Sequence, residues 1–194
     1  MLFRSPVISN LYGSHRRLCD IIGAGEQTFC QRWNTLTAEA ASASTAECLV
    51  PFEGVDDFVA GALSDLPPIT YHARDGGPYF TSAIYLANDP DTGVPNLSFH
   101  RSQQISDREL RVRLGSSHDL AKYQRRAEEK GEALEAALLL SCPAEIFMAA
   151  CASLPIEASE LNFAARILGK PIGMRRCKTI DLEVPASVDI VVEG

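Results

Sequence analysis

The chain has 194 residues, 46% hydrophobic and 22% charged, with 25 acidic against 18 basic side chains and a formal charge of −7. That length suits one domain with a sizeable core, and the ordinary globular composition excludes a disordered or fibrous protein. The acidic balance argues against a nucleic-acid partner, which needs clustered Lys and Arg to neutralise phosphates, but it is compatible with an anion site in one pocket.

In chain order, residues 6–10 read as a short β-like run. Residues 14–22 read as a short helix that carries Arg16 and Arg17 and stops at Gly23 and Gly25. Residues 35–48, TLTAEAASASTAEC, are small and polar and read as a loop or loose connection. Residues 55–66 place Val55, Phe58, Val59, Ala62, Leu63 and Leu66 at three- and four-residue spacing, which predicts a helix closed by Pro67-Pro68.

From Ile69 the texture turns to strands. The pair Gly76-Gly77 suits a tight turn rather than a dinucleotide fingerprint. Residues 79–87 are apolar and β-prone, DPDTG at 89–93 has the residues that reverse a chain, and NLSFHRSQQ at 96–104 runs back. On that return run Leu97, Phe99 and Arg101 share one face, and Ser98, His100 and Ser102 share the other. An arginine on the apolar face calls for a partner of opposite charge. Residues 110–114 alternate around Arg111 and Arg113 as a further strand.

A helical block follows. Ser116 or Ser117 caps a helix over 118–130 with Gly131 at its C′ position. Residues 134–140 are short enough to favour a buried strand over a helix. Pro143 opens a helix to about residue 153, and Ser159 caps another that runs through Leu168 and ends at Gly169. Residues 175–181 and 188–192 return to strand with a break at Pro185, and Arg175 and Arg176 read as a solvated strand edge. Strands on both sides of a helical block predict an α+β fold in which residues 69–115 and 172–192 form one mixed, mainly antiparallel β-structure.

Cys19, Cys30, Cys48, Cys142, Cys151 and Cys177 include no C-x-x-C pair, and His15, His72, His100 and His118 complete no zinc pattern. The plain reading is free thiols in a reducing cytoplasm. The start, MLFRSPVISNLYGSHRR, lacks the apolar region of a secretion signal, and the longest apolar run, 136–140, is far short of a membrane span. A cytoplasmic protein without a membrane partner is expected.

PVISNLYGSHRRL, GGPYFTSAIYLANDPDTGVPNLSFHR, CPAEIFMAACASLP followed closely by SELNFAARILG, and CKTIDLEVPASVDIVVEG occur in an order that resembles the UbiD family of decarboxylases. The resemblance implies removal of CO2 from an aromatic or α,β-unsaturated carboxylic acid with prenylated FMN (prFMN), a cofactor supplied by a flavin prenyltransferase. It implies a split β-barrel resembling flavin reductases, with residues 1–66 as a partial N-terminal α/β segment and 67–194 as the cofactor-binding domain. Family members begin with a further N-terminal stretch. They also continue past the segment matching VVEG, into an acidic E-G-P-[FY]-G-[ED] segment and an oligomerising domain. The expectation is therefore an internal piece of a larger enzyme, homo-oligomeric or paired with a complementary chain, which does not decarboxylate alone. The other reading is a non-catalytic cofactor-binding subunit whose partner chain supplies the missing acids.

The family holds the flavin phosphate through a divalent metal (Mn2+ or Mg2+), with K+, on an Asn, a His and a Glu. The resemblance puts these on Asn96, His118 and Glu160; ungapped spacing reaches Asp119, an acceptable oxygen ligand, beside the only imidazole of that segment. Without the resemblance, Asn96 would finish a turn and Glu160 would be a first-turn acid favoured by the helix dipole. Arg101 matches the family arginine over the flavin, whose guanidinium suits a carboxylate. Ser98 and Phe99 are implied to line the flavin, as are Ala150 and Cys151, although a thiol there also suits a core. Asp107 and Glu193 match no family acid.

Overall fold

The computed structural model describes residues 10–55 and 57–194. In chain order the elements are α1 (His15–Ile22), α2 (Phe29–Ser42), α3 (Thr45–Cys48), β1 (Leu49–Pro51), a 3-10 turn (Leu63–Asp65), β2 (Tyr79–Phe80), β3 (Ile84–Asn88) and β4 (Pro95–Phe99). They continue with β5 (Ser102–Gln104), β6 (Leu110–Val112), α4 (Asp119–Lys130), β7 (Ala137–Leu140), α5 (Ala144–Ala149), α6 (Glu160–Leu168), β8 (Ile172–Arg176), β9 (Glu183–Pro185) and β10 (Ile190–Glu193).

A four-stranded antiparallel sheet, β10–β7–β3–β4, lies at the centre. It is buried on both faces, and the two-residue period of its strands sorts side chains between two cores. Ile84, Leu86, Leu97, Ala137 and Leu139 join α2, α5 and α6 in the larger one. Tyr85, Ala87 and Leu138 join Leu120 of α4 in the smaller one, against Leu110 and Val112 of β6. Two three-stranded sheets flank this centre, β2–β5–β6 and β1–β8–β9, the latter with β1 and β8 parallel. The strands expected in one split barrel are thus divided among three sheets, none closed into a barrel. The two strand blocks still meet, because β10 joins β3 and β4 through β7.

Other expectations are corrected as well. Residues 35–48 are mostly helical, in α2 and α3, rather than a loop. Their alanines are good helix formers, and Leu36 and Ala40, one turn apart, are buried where α2 packs on α6. Between residues 55 and 66 the described residues form only the 3-10 turn; Val55 and Val59 are 83% and 93% exposed. Leu63 is buried, but with Val55 and Val59 left uncovered the periodicity alone does not sustain a helix. The helix after Pro143 stops at Ala149 rather than near residue 153. The β-like run at 6–10 lies, apart from Asn10, outside the described residues. Arg175 is not a solvated edge residue, since its guanidinium stacks on Phe52 and Phe58 at 4.8 and 4.3 Å and pairs with Asp57 at 3.2 Å; Arg176 is exposed. Among the described residues no helix is long and apolar enough to cross a membrane, and all six cysteines are free.

The β3–β4 hairpin is tied to α4 at its turn. Asp89, buried at 3% exposure, accepts hydrogen bonds from Arg126, from Thr92 Oγ1 at 3.0 Å and from the Asp91 amide at 3.0 Å. Burial alone would raise the Asp89 pKa, but those donors outweigh it and hold the carboxyl below its ordinary value. Asp91 extends the clamp to Lys130 at 2.8 Å, and Gly93 supplies the left-handed turn residue at φ 73°. A depressed folded-state pKa stabilises the fold above the unfolded value of about 3.9, and the contribution is lost as pH falls through the lower folded value. Asp89→Asn should therefore cost about 1–3 kcal/mol at pH 7, with the gap from wild type shrinking by pH 3. Urea unfolding at the two pH values checks this; equal gaps would contradict it.

Candidate functional site

β4 is the free edge of the central sheet, and α6 points its N-terminus at that edge. Ser159 caps α6 by accepting the Leu161 amide at 3.1 Å, which fixes Glu160 as the first helical residue. The Glu160 side chain turns onto the strand. Its Oε2 accepts the Leu97 amide at 2.9 Å and Asn96 Nδ2 at 3.1 Å. A carboxylate thus satisfies a backbone donor that an edge strand would leave open.

The electrostatics are less balanced than the hydrogen bonds. Glu160 is 4% exposed, and burial pushes its pKa up to about 7 despite the lowering effect of the Leu97 amide and the Asn96 side chain. The stabilising helix dipole expected at this position is outweighed by desolvation. Among the described residues no Lys or Arg pairs with Glu160. A buried carboxylate of this kind is an environment that a cation would stabilise.

Asn96 and Ser98 lie on the same face of β4 and are joined side by side with His100, just past the end of the strand. Ser98 Oγ donates to Asn96 Oδ1 at 3.0 Å and lies 3.0 Å from His100 Nε2. His100 is buried beside His118, with ring centroids 5.1 Å apart, and burial together with the neighbouring imidazole lowers its pKa to about 4. His118 is exposed at the N-cap of α4, while the Asp119 carboxylate is engaged by Lys122 at 2.6 Å. The sheet neighbour Tyr85 closes the far end, its hydroxyl 2.7 Å from Ser102 Oγ.

The chain turns a corner after Phe99. Residues 100 and 101 belong to neither sheet, and β5 continues in the second one. The corner overturns the expectation that Arg101 faces inward with Leu97 and Phe99: Arg101 is exposed, and among the described residues no carboxylate pairs with it. Phe99 packs on the opposite side of β4 from Ser98, edge-on to Phe147 of α5 with centroids 4.9 Å apart. Ala150 is buried just past the end of α5. Cys151 is exposed, its thiol donating to the Phe147 carbonyl at 3.5 Å, beside an aromatic groove of about 420 Å³ that Tyr12, Phe29 and Trp33 help to line.

The structure therefore brings Asn96, Ser98 and Glu160 into direct contact, with His118 next in line through His100, and gathers Phe99, Ala150 and Cys151 about α5. Arg101 stands apart from both groups. Sequence reading put His100 and Ser102 on the face of Ser98 but gave them no role, and it did not single out Tyr85. The legible signal was polar residues at alternate positions, 96, 98, 100 and 102.

Glu160→Ala leaves the Leu97 amide and Asn96 Nδ2 without their acceptor and should cost about 2–3 kcal/mol, whereas Glu160→Gln keeps an acceptor oxygen and should cost under about 1 kcal/mol. Chemical unfolding of the metal-free variants checks this ordering; equal losses would contradict it.

Residues 42–194 match the family described as UbiD: 3-octaprenyl-4-hydroxybenzoate carboxy-lyase Rift-related domain. The chain is 40% identical over 143 residues to an anhydromevalonate phosphate decarboxylase of Methanothermobacter thermautotrophicus, covering 73% of this chain and 33% of that one. It is 33% identical over 133 residues to a phenolic acid decarboxylase of Bacillus subtilis, covering 66% and 28%. Among solved structures, an evolved dimeric form of the UbiD-class enzyme HmfF from Pelotomaculum thermopropionicum, in complex with prFMN, superposes with a TM-score of 0.81 at 29% identity, covering 94% of this chain and 43% of that one. The chain spans about a third of the length of these curated relatives. A match over most of the sequence, on a fold shared with a prFMN enzyme, places the chain in the UbiD family of decarboxylases.

Proposed function

We propose that this chain is the prFMN-binding portion of a UbiD-type carboxy-lyase that acts on an aromatic or α,β-unsaturated carboxylic acid. In this reading residues 67–194 carry the cofactor, Asn96, Glu160 and His118 hold a divalent cation (Mn2+ or Mg2+) with K+ at the flavin phosphate, and Arg101 receives the substrate carboxylate. One observation carries it: Glu160 is buried, has no cationic partner among the described residues and is hydrogen-bonded to Asn96.

The donor set fits a hard cation. An amide oxygen, a carboxylate and an imidazole suit Mn2+ or Mg2+. The carboxylate is raised towards neutrality by burial, so a positive charge beside it would favour its ionised form. Asp119 is already engaged by Lys122, which favours His118 as the third ligand. Among the described residues no group of three or more His, Cys, Asp and Glu is placed to hold a metal, so the proposed set depends on the Asn96 amide.

When bound, prenylated FMN would supply the electron sink for loss of carbon dioxide. The protein's own part is position and charge. The Arg101 guanidinium is always protonated and presents a fork to a carboxylate, so it orients the acid but donates no proton to carbon. Ser98, Phe99, Ala150 and Cys151 would border the flavin. Glu193 is no proton donor either: its carboxylate accepts the Lys178 and Thr179 amides and the Thr179 hydroxyl, which hold its pKa low against the raising effect of burial.

The exposed Arg101, with no carboxylate beside it among the described residues, favours a second reading. The chain would carry the cofactor while a partner chain supplies the proton-donating acids. The two readings share cofactor binding and differ in where the proton-donating acids come from. FMN titration should give saturable binding that weakens about tenfold or more, about 1.4 kcal/mol, when EDTA replaces Mn2+. Arg101→Ala should leave that affinity within about threefold of wild type. Absence of FMN binding would overturn both readings. After co-production with a flavin prenyltransferase, the chain alone should release no CO2 from a panel of cinnamate-like and aromatic acids; release that disappears in Arg101→Ala would overturn this and show that the chain has its own proton donor. Turnover restored by a separate partner chain favours the binding subunit.

A further inference from the structure

The side chains on the inner face of β4 form a hydrogen-bonded chain whose direction can be deduced atom by atom. Glu160 Oε2 accepts from the Leu97 amide and from Asn96 Nδ2, so the Asn96 nitrogen is turned towards Glu160 and its oxygen towards Ser98. An amide oxygen only accepts, so the single Ser98 hydroxyl proton is spent on Asn96 Oδ1 at 3.0 Å. Ser98 Oγ can then only accept from His100 Nε2, also 3.0 Å away, and His100 is the Nε2–H tautomer. Asn96, His100 and Glu160 are 6%, 4% and 4% exposed and Ser98 is half-buried, so water competes poorly for the Glu160 bonds and only in part for those of Ser98.

We propose that His100 is a positioning residue: through Ser98 it fixes the Asn96 side chain with its oxygen, rather than its NH2 group, available to a divalent cation. The inference rests on the reading of Asn96 as an oxygen ligand and adds a residue to it. His100 sits where the chain turns out of the central sheet, held from behind by the edge-on ring of Tyr85 at 5.8 Å and by the Ser102 hydroxyl donating to its carbonyl at 3.3 Å. The ring therefore has a fixed place from which to donate. Without that donor, Ser98 is free to rotate its proton away from Asn96. The Asn96 amide is then held only by its bond to Glu160, and with that single restraint it more readily turns over and presents N–H groups where a cation needs a lone pair.

The test is Mn2+ affinity, measured calorimetrically in the presence of FMN, for wild type, His100→Phe, His100→Gln, Ser98→Ala and the Ser98→Ala/His100→Phe double variant. His100→Phe keeps a ring and loses the donor; it should weaken Mn2+ binding about tenfold or more, the size usual for groups that orient a ligand. His100→Gln places an N–H at similar reach and should recover most of the loss. Because His100 acts through Ser98, Ser98→Ala should show a comparable loss and the double variant little more than either single one. Should His100→Phe not fold, Ser98→Ala carries the comparison. Long-range 15N–1H spectra of wild type should show the His100 proton on Nε2. Unchanged affinity in His100→Phe or Ser98→Ala, losses that multiply in the double variant, no recovery in His100→Gln, or a proton on Nδ1 would each overturn the proposal. Wild type that binds FMN but takes up no Mn2+ would overturn the ligand reading and this inference with it. Wild-type Mn2+ binding with unaltered variants would overturn the inference alone.

Discussion

The candidate site depends on one carboxylate held out of water. Glu160 stands at the junction between the first turn of α6 and the free edge of β4, and its bonds to the Leu97 amide and the Asn96 side chain join helix to sheet at that point. Opposing influences act on it. The helix N-terminus and two N–H donors favour the charged form, while burial disfavours it, and burial wins by enough to bring the pKa to about 7. The fold tolerates this because α6 is anchored elsewhere: Leu161, Phe163 and Ala164 are fully buried in the larger core, and Trp33 packs edge-on to Phe163 at 4.8 Å. Apolar packing places the helix, and the helix places the charge.

The corner at residues 100 and 101 organises what surrounds that carboxylate. A continuous strand would have kept Arg101 on the side of Leu97 and Phe99. By leaving the central sheet after Phe99, the chain buries His100 in the angle and leaves Arg101 outside it. Tyr85 and Ser102 hold the inner side of the corner. β4 consequently separates a polar chain on one face from an aromatic cluster around Phe147 on the other. Polar side chains and the buried Glu160 carboxyl occupy one side, and packed aromatic rings occupy the other.

α4 completes the polar side from a distance. The Asp89–Arg126 contact and its extension through Asp91 to Lys130 fix the C-terminal half of α4 against the hairpin turn. Leu120 and Tyr123 bury its N-terminal half. With both halves held, the start of the helix has little freedom, and the His118 ring is left beside His100. The ion pairs and the packing do different work here: the pairs set the register of the helix along the hairpin, and the buried side chains set its depth.

Much of this was legible in residue order. The apolar, β-prone run of β3, the alternation in β4, the DPDTG reversal, the Gly131 and Gly169 stops and the Ser159 cap are local signals, because each follows from the preferences of a few adjacent residues. The motif resemblance added Asn96 and Glu160, 64 residues apart in the chain and 3.1 Å apart in space. Other features depended on what the rest of the chain brings alongside. The small residues of 35–48 are helical because α6 offers a surface that α2 can approach closely, and the stripe of 55–66 forms no α-helix among the described residues, with Val55 and Val59 exposed while Leu63 is buried. Likewise the inward or outward aim of Arg101, the membership of His100 in the polar chain and the near-neutral pKa of Glu160 follow from a sheet corner and from desolvation. Local propensity fixes turns, caps and strand alternation, but burial belongs to the assembled fold, and burial decides which of the remaining segments become helix, which side chains carry a charge and which way they face.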